Sequence, residues 1–153
     1  MPPDHPVLAT DTTSLSILHI SRPINFIEAN RATRFILVDT PDQFKPDYWN
    51  RVVAVFTTGQ TWQFKSYKWR DPQDLFRQVL GVYVGWRGEG VPDSVRGWGR
   101  GVVCKEVDKW VEGRDAIDGG KGRWRDREVV EGVWAAIEET MKRRGWGKDG
   151  PRV

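Results

Sequence analysis

Five apolar residues in a row, Val52-Val53-Ala54-Val55-Phe56, run into Thr57-Thr58-Gly59 and then into an aromatic, basic segment that ends at Arg70. A short, continuous, mostly β-branched run reads as a strand buried on both faces, because a half-exposed strand would alternate apolar with polar residues. The Thr-Thr-Gly that follows lets the backbone turn. Beyond the turn, Trp62, Phe64, Tyr67 and Trp69 alternate with Gln63, Lys65, Lys68 and Arg70, and residues 51–70 hold no Asp or Glu. A buried strand thus opens into a loop of flat rings and cations. In open α/β sheets, ligands bind at the carboxyl ends of strands.

Length and charge narrow the classes that remain. A chain of 153 residues suits one domain with an adequate core. The net charge of +3 is too small for a dedicated nucleic-acid binder, so the basic character lies in patches. A single cysteine, Cys104, rules out an internal disulfide and supplies no metal framework; it reads as a small buried apolar residue in Val102-Val103-Cys104. The N-terminal residues lack the basic and apolar regions of a secretory signal, and no apolar run approaches the ~18 residues of a membrane span. No membrane partner is expected. Most of the nine tryptophans must serve the core.

Along the chain, residues 5–10 read as a first strand and Asp11-Thr12-Thr13-Ser14 as a helix cap. Leu15, Ile17, Leu18 and Ile20 predict one or two helical turns, interrupted by Pro23. A second helical piece is expected from Pro23 to about Asn30, burying Ile24, Phe26 and Ile27. Phe35-Ile36-Leu37-Val38 is the next strand, Thr40-Pro41-Asp42 a turn, and Pro46-Asp47 the start of a single helical turn. Asp71-Pro72 opens a helix whose apolar face is Leu75, Phe76, Val79 and Leu80, with Gly81 as its end. Val82-Tyr83-Val84 and residues 102–107 are further strands, the latter with an exposed far end. Residues 85–101 and 112–121 read as loops, the second of them mobile. Asp126 is expected to cap a last helix with a core-facing stripe of Val130, Val133, Trp134, Ile137 and Met141, stopped by Gly145. Residues 147–153 read as a flexible tail.

Two stretches carry a family resemblance. Trp49-Asn50-Arg51-Val52-Val53-Ala54-Val55-Phe56 with Gly59-Gln60-x-Trp62-Gln63-Phe64-Lys65, and later Trp124-Arg125-Asp126-Arg127 with Val133-Trp134, resemble the C-terminal domain of the parafibromin family. The resemblance runs from about Pro6 to about Trp146, and the connection at residues 31–34 is shorter than it leads one to expect. It implies an α/β fold: a Ras-like layered sheet of about five or six mostly parallel strands flanked by helices, without a phosphate-binding loop, filling residues 1–153 as the C-terminal domain of a longer protein. The residues agree on the last point. The turn at residues 9–14 has no glycine to wrap a phosphate and no lysine to meet it, and Asp11 would oppose one.

No catalytic set is visible. His5 and His19 lack a nucleophile or carboxylate partner in any recognisable motif, metal-ligand spacing is absent, and no cofactor is expected. The candidate site is the basic, aromatic surface: Arg51, Trp62, Lys65, Tyr67, Lys68, Trp69 and Arg70. Flat rings beside cations suit an extended peptide carrying prolines and phosphate. They also suit stacked bases of single-stranded nucleic acid. The plainer alternative is that Phe64 and Trp69 belong to the core and the lysines solvate them. The strand between Arg51 and Trp62 spans about 17 Å, yet one motif holds both, and a single groove is expected.

The resemblance implies a non-enzymatic module in the nucleus that helps bring the RNA polymerase II-associated factor complex to transcribed chromatin. Its implied partners are the other subunits of that complex and the phosphorylated repeat tails of RNA polymerase II or its elongation factor, with chromatin reached indirectly by a monomeric domain. Two rivals remain open: a degenerate GTPase-like nucleotide binder and a single-stranded nucleic-acid module.

Overall fold

The structure, a computed structural model, describes residues 17–152. The expected first strand at residues 5–10 and the cap at 11–14 lie outside the described residues. Within them the chain is mixed α/β, with five strands in two sheets. Strands β1 (Ile17–Arg22) and β2 (Thr33–Val38) form an antiparallel pair, and β3 (Ala54–Thr57), β4 (Leu80–Trp86) and β5 (Val102–Val107) form a parallel sheet in the order β3-β4-β5. The expected single, mostly parallel sheet is therefore divided.

The first correction concerns residues 17–22, read as helical and found as a strand. Their register runs from Ile17 opposite Val38 to Arg22 opposite Thr33. Ile17 and Ile20 are β-branched, and the apolar run in β2 offers a partner that propensity alone does not reveal. The expected helix after Pro23 shrinks to one turn, in which Ile24 O accepts from Ile27 N at 2.9 Å and Glu28 N at 3.1 Å. Ile24 is fully buried, whereas Phe26 is 40 % exposed.

β3 is the second correction. It lies at an edge of its sheet, and its side chains alternate: Val55 and Thr57 are buried while Phe56 is 48 % exposed. The run at residues 52–56 is apolar throughout; Val53 and Ala54 pack against the second core cluster, but Phe56, on the same face as Ala54, is left open.

Helix α1 (Pro72–Gln78) connects β3 to β4. Asp71 caps it as expected, its carboxylate accepting from Gln73 N at 2.9 Å. The helix ends earlier than the apolar stripe implied, because Leu80 and Gly81 already belong to β4. Gly81 is there to give room: a Cβ at this position would lie 2.6 Å from Phe76 Cε1. Helix α2 (Asp93–Gly97) leads towards β5, and the short α3 (Arg114–Ile117) occupies the loop expected to be mobile. That loop is tied down by buried Asp115, which accepts from Val111 N at 2.7 Å. Helix α4 (Trp124–Arg143) begins two residues before Asp126, which lies in its first turn and pairs with Arg123 at 2.8 Å. Gly145, at φ +70, ends it as expected.

Both faces of the parallel sheet are covered. On one, Val55 and Val102 pack with Phe64, Leu75, Phe76, Val79 and Val95. On the other, Leu80 and Val82 pack with Val133, Ile137 and Met141 of α4. Val130, expected in that stripe, is 51 % exposed. Cys104 is exposed on β5, an edge strand, and not buried as expected; its remaining desolvation pushes the thiol pKa up. Within the segment expected to be a tail, residues 147–150 make a tight turn, with Gly147 N donating to Gly150 O at 3.0 Å and Lys148 pairing with Glu28 at 3.6 Å.

Candidate peptide-binding groove

The turn leaving β3 sets the geometry of the site. Gly59 sits at φ +96, a conformation few other residues tolerate, and its carbonyl accepts from Ser94 Oγ at 3.0 Å. Thr57 Oγ1 accepts from Gly59 N at 3.0 Å. The chain then enters a 3-10 turn, Thr61–Ser66, in which Phe64 points into the core and is fully buried. With Phe64 fixed, Trp62 is turned outward and is 66 % exposed, the most exposed tryptophan among the described residues.

Between this turn and the exit of β2 lies a groove of about 520 Å³. Asp39, Thr40 and Pro41 form one wall; Trp62, Gln63, Ser66 and Tyr67 form the other; Phe56 and Val84 contribute the apolar surface between them, above buried Val82. Because β3 is an edge strand, alternate main-chain groups have no β4 partner. The Phe56 carbonyl is one of these, and Gln63 Nε2 donates to it at 2.8 Å while also donating to the Tyr67 hydroxyl at 3.0 Å. Ser66 Oγ donates to Asp42 Oδ1 at 3.3 Å, tying the two walls together.

Of the residues singled out in the sequence, Trp62 and Tyr67 line this groove. Trp69 is half-buried and packs edge-on against Trp49, with ring centroids 6.0 Å apart. The Lys68 ammonium lies over the Trp69 ring, 4.9 Å from its centroid. Lys65 and Arg70 are exposed. Arg51 is elsewhere: its guanidinium donates to Asp149 O at 3.4 Å, and it is not among the residues lining the groove. Lys65, Lys68, Arg70 and Arg51 form no ion pair among the described residues. The sequence reading missed Asp39, Phe56, Gln63 and Ser66. The signal for Asp39 and Phe56 was their position at strand ends; Gln63 and Ser66 carried none beyond their place in the Trp-rich segment.

Among the described residues, no group of three or more His, Cys, Asp or Glu is placed to hold a metal ion, and no helix is long and apolar enough to cross a membrane. The groove offers surface, hydrogen-bond acceptors and nearby cations, which is equipment for binding.

A family model described as "RNA pol II accessory factor, Cdc73 family, C-terminal" matches residues 1–140. The chain belongs to this family. Its relatives include cell division control protein 73 of Saccharomyces cerevisiae, 42% identical over 123 residues, which are 80% of this chain and 28% of that protein. The Schizosaccharomyces pombe protein of the same name is 39% identical over 112 residues, covering 72% of this chain and 26% of that one. The Arabidopsis thaliana CDC73 homolog is 30% identical over 112 residues, 73% of this chain and 24% of its own length. The chain thus spans about a quarter of the length of these relatives. A solved structure titled "The conserved domain of yeast Cdc73" superposes with a TM-score of 0.68 at 40% identity, covering 85% of this chain and 74% of that one.

Proposed function

We propose that this chain is a non-enzymatic binding module of a transcription elongation complex, acting in the nucleus. In this reading its α/β layers are a Ras-like scaffold without nucleotide chemistry. The module helps recruit the RNA polymerase II-associated factor complex to transcribed chromatin by holding phosphorylated repeat tails of the polymerase or of its elongation factor, and it joins the other subunits of that complex. Membership of the Cdc73 C-terminal family supports the transcriptional setting.

The observation that carries the peptide reading is Trp62. A tryptophan exposed to 66 % beside an apolar groove, with exposed Lys65 in the same turn and Lys68 and Arg70 following in the chain, provides a stacking surface for a ring and cations for a phosphate. Trp62, Lys65, Tyr67, Lys68, Trp69 and Arg70 form the proposed contact surface, with Trp69 holding Lys68 in place, and Arg51 is an outlying contact.

Titration of phosphorylated and unphosphorylated repeat peptides against the parent and Trp62→Ala tests this, with circular dichroism as the folding control. The phosphorylated peptide binds more tightly, and Trp62→Ala weakens it without unfolding the domain. Lys65→Glu weakens it in a salt-sensitive way, as exposed ionic contacts are screened. Equal affinity of the parent for both peptides, or a Trp62→Ala protein that binds like the parent, overturns the reading.

A further inference from the structure

The groove is electrostatically lopsided. Asp39 stands in the wall at the β2 exit, and the Asp42 carboxylate lies beside it, held by Ser66 Oγ at 3.3 Å. Among the described residues, no lysine or arginine lines the groove. The cations of the Trp62 segment, Lys65, Lys68 and Arg70, are exposed and lie outside the lining. Lys65 follows Trp62 by three residues in a 3-10 turn, where side chains at i and i+3 eclipse, so the two stand about 6 Å apart along the turn axis. The interior is an apolar surface for a ring, with Phe56 and Val84 still 48 % and 39 % exposed.

Resting on the phosphopeptide reading above, we propose that this polarity sets where the phosphate must stand in the bound peptide. A neutral ring, proline or tyrosine, enters the groove against Trp62 and Phe56, and the phosphoryl group is carried by a flanking residue that meets Lys65. A phosphate on the ring residue itself is turned away by Asp39.

A phosphoryl group carries close to two negative charges at neutral pH, so it is repelled by a carboxylate in the wall and attracted by the ammonium beyond it. A neutral hydroxyl or peptide N–H can instead donate to Asp39. Selectivity here comes from a repulsive element placed beside an attractive one. Asp39 is exposed, so the repulsion is partly screened, and it is expected to be worth about three- to ten-fold in affinity at low salt.

The experiment compares two isomeric peptides of one sequence, one phosphorylated on a serine flanking a tyrosine and the other on the tyrosine itself, with the unphosphorylated peptide as reference. The parent is expected to favour the serine isomer by about three- to ten-fold. Asp39→Asn narrows that ratio to about two-fold or less, Asp39→Lys removes or reverses it, and Lys65→Glu lowers affinity for the serine isomer by more than it lowers affinity for the unphosphorylated peptide. Melting curves confirm that the surface variants remain folded. If phosphorylated and unphosphorylated peptides bind the parent alike, the phosphopeptide reading fails and this inference with it. A phosphopeptide preference with no discrimination between the isomers, or a ratio unmoved by Asp39→Asn, overturns this inference alone.

Discussion

The Gln63 side-chain amide closes the free edge of β3 by donating to the Phe56 carbonyl at 2.8 Å. The same nitrogen reaches the Tyr67 hydroxyl at 3.0 Å, so one side chain ties the Trp62 wall of the groove to its floor. Gln63→Ala should cost about 0.5–1.5 kcal/mol in urea unfolding, the net worth of such hydrogen bonds. It should also weaken peptide binding by letting Tyr67 move. Unchanged unfolding midpoint and affinity would show that neither bond contributes.

Gly101 is expected to be far less replaceable than Gly97. A Cβ at Gly101 would lie 2.1 Å from the Phe76 carbonyl oxygen, and that oxygen belongs to main chain. Gly101→Ala must therefore shift α1 against β5, a loss at or above the roughly 1–3 kcal/mol of ordinary overpacking. At Gly97, the last residue of α2, a Cβ meets nothing within 4 Å. Gly97→Ala should be neutral or stabilising by roughly 0.4–1 kcal/mol, through the unfolded chain. Paired chemical denaturation curves distinguish the two.

Helix α4 separates burial from periodicity. Ile137 is 5 % exposed and packs on β4, whereas Val130 is 51 % exposed on the same apolar stripe. Ile137→Ala should cost about 2–5 kcal/mol. Val130→Ala should change stability by roughly 0.5 kcal/mol or less. Similar losses from both would mean that the stripe is buried along its whole length.

Acid should release the loop before α4. The Arg114 guanidinium, 3.2 Å from Asp115, and the Val111 N–H hold the Asp115 carboxyl below its usual range against the opposing effect of burial, with Arg123 adding attraction. A carboxyl with a depressed folded pKa stabilises the fold above its unfolded pKa of about 3.9. That stabilisation is lost as pH falls through the lower folded value. Asp115→Asn should therefore lower Tm at pH 7, and the gap from the parent should close as melts are run at progressively lower pH below about 4. A gap that persists unchanged into acid would assign the effect to packing.

The parts of this structure legible in the sequence were those governed by neighbours in the chain. Asp71-Pro72 announced α1, Gly145 ended α4, and the apolar run before Thr57-Thr58-Gly59 located β3 and the loop that carries Trp62. What sequence could not supply was decided by distant partners. Residues 17–22 became a strand because residues 33–38 lie opposite them, and Cys104 is exposed because the core cluster that covers Val102 on the same face of β5 does not include it. In the site, Trp62 and Tyr67 could be named from local composition. Asp39 offered only its place at a strand end, because folding alone brings the end of β2 to the end of β3. Arg51 shows the converse: it shares a motif with Trp62 but reaches towards Asp149.

The division into two sheets has a dynamic consequence. No main-chain ladder joins the hairpin of β1 and β2 to the parallel sheet among the described residues. Side chains of α4, which packs on that sheet, make the connection: Arg22 pairs with Glu131 at 2.9 Å and Glu138 at 3.1 Å, while Phe35 meets Trp134 edge-on at 4.9 Å. Such a clasp can open without breaking a strand pair in either sheet, so the hairpin forms its own unit of cooperative opening. Its amides should exchange with deuterium sooner than those of β4, and Arg22→Ala should hasten exchange in β1 and β2 while leaving β4 protected. One wall of the groove ends the hairpin and the other begins at the parallel sheet, so under the proposed peptide-binding function the same opening would set how readily an extended chain enters between them.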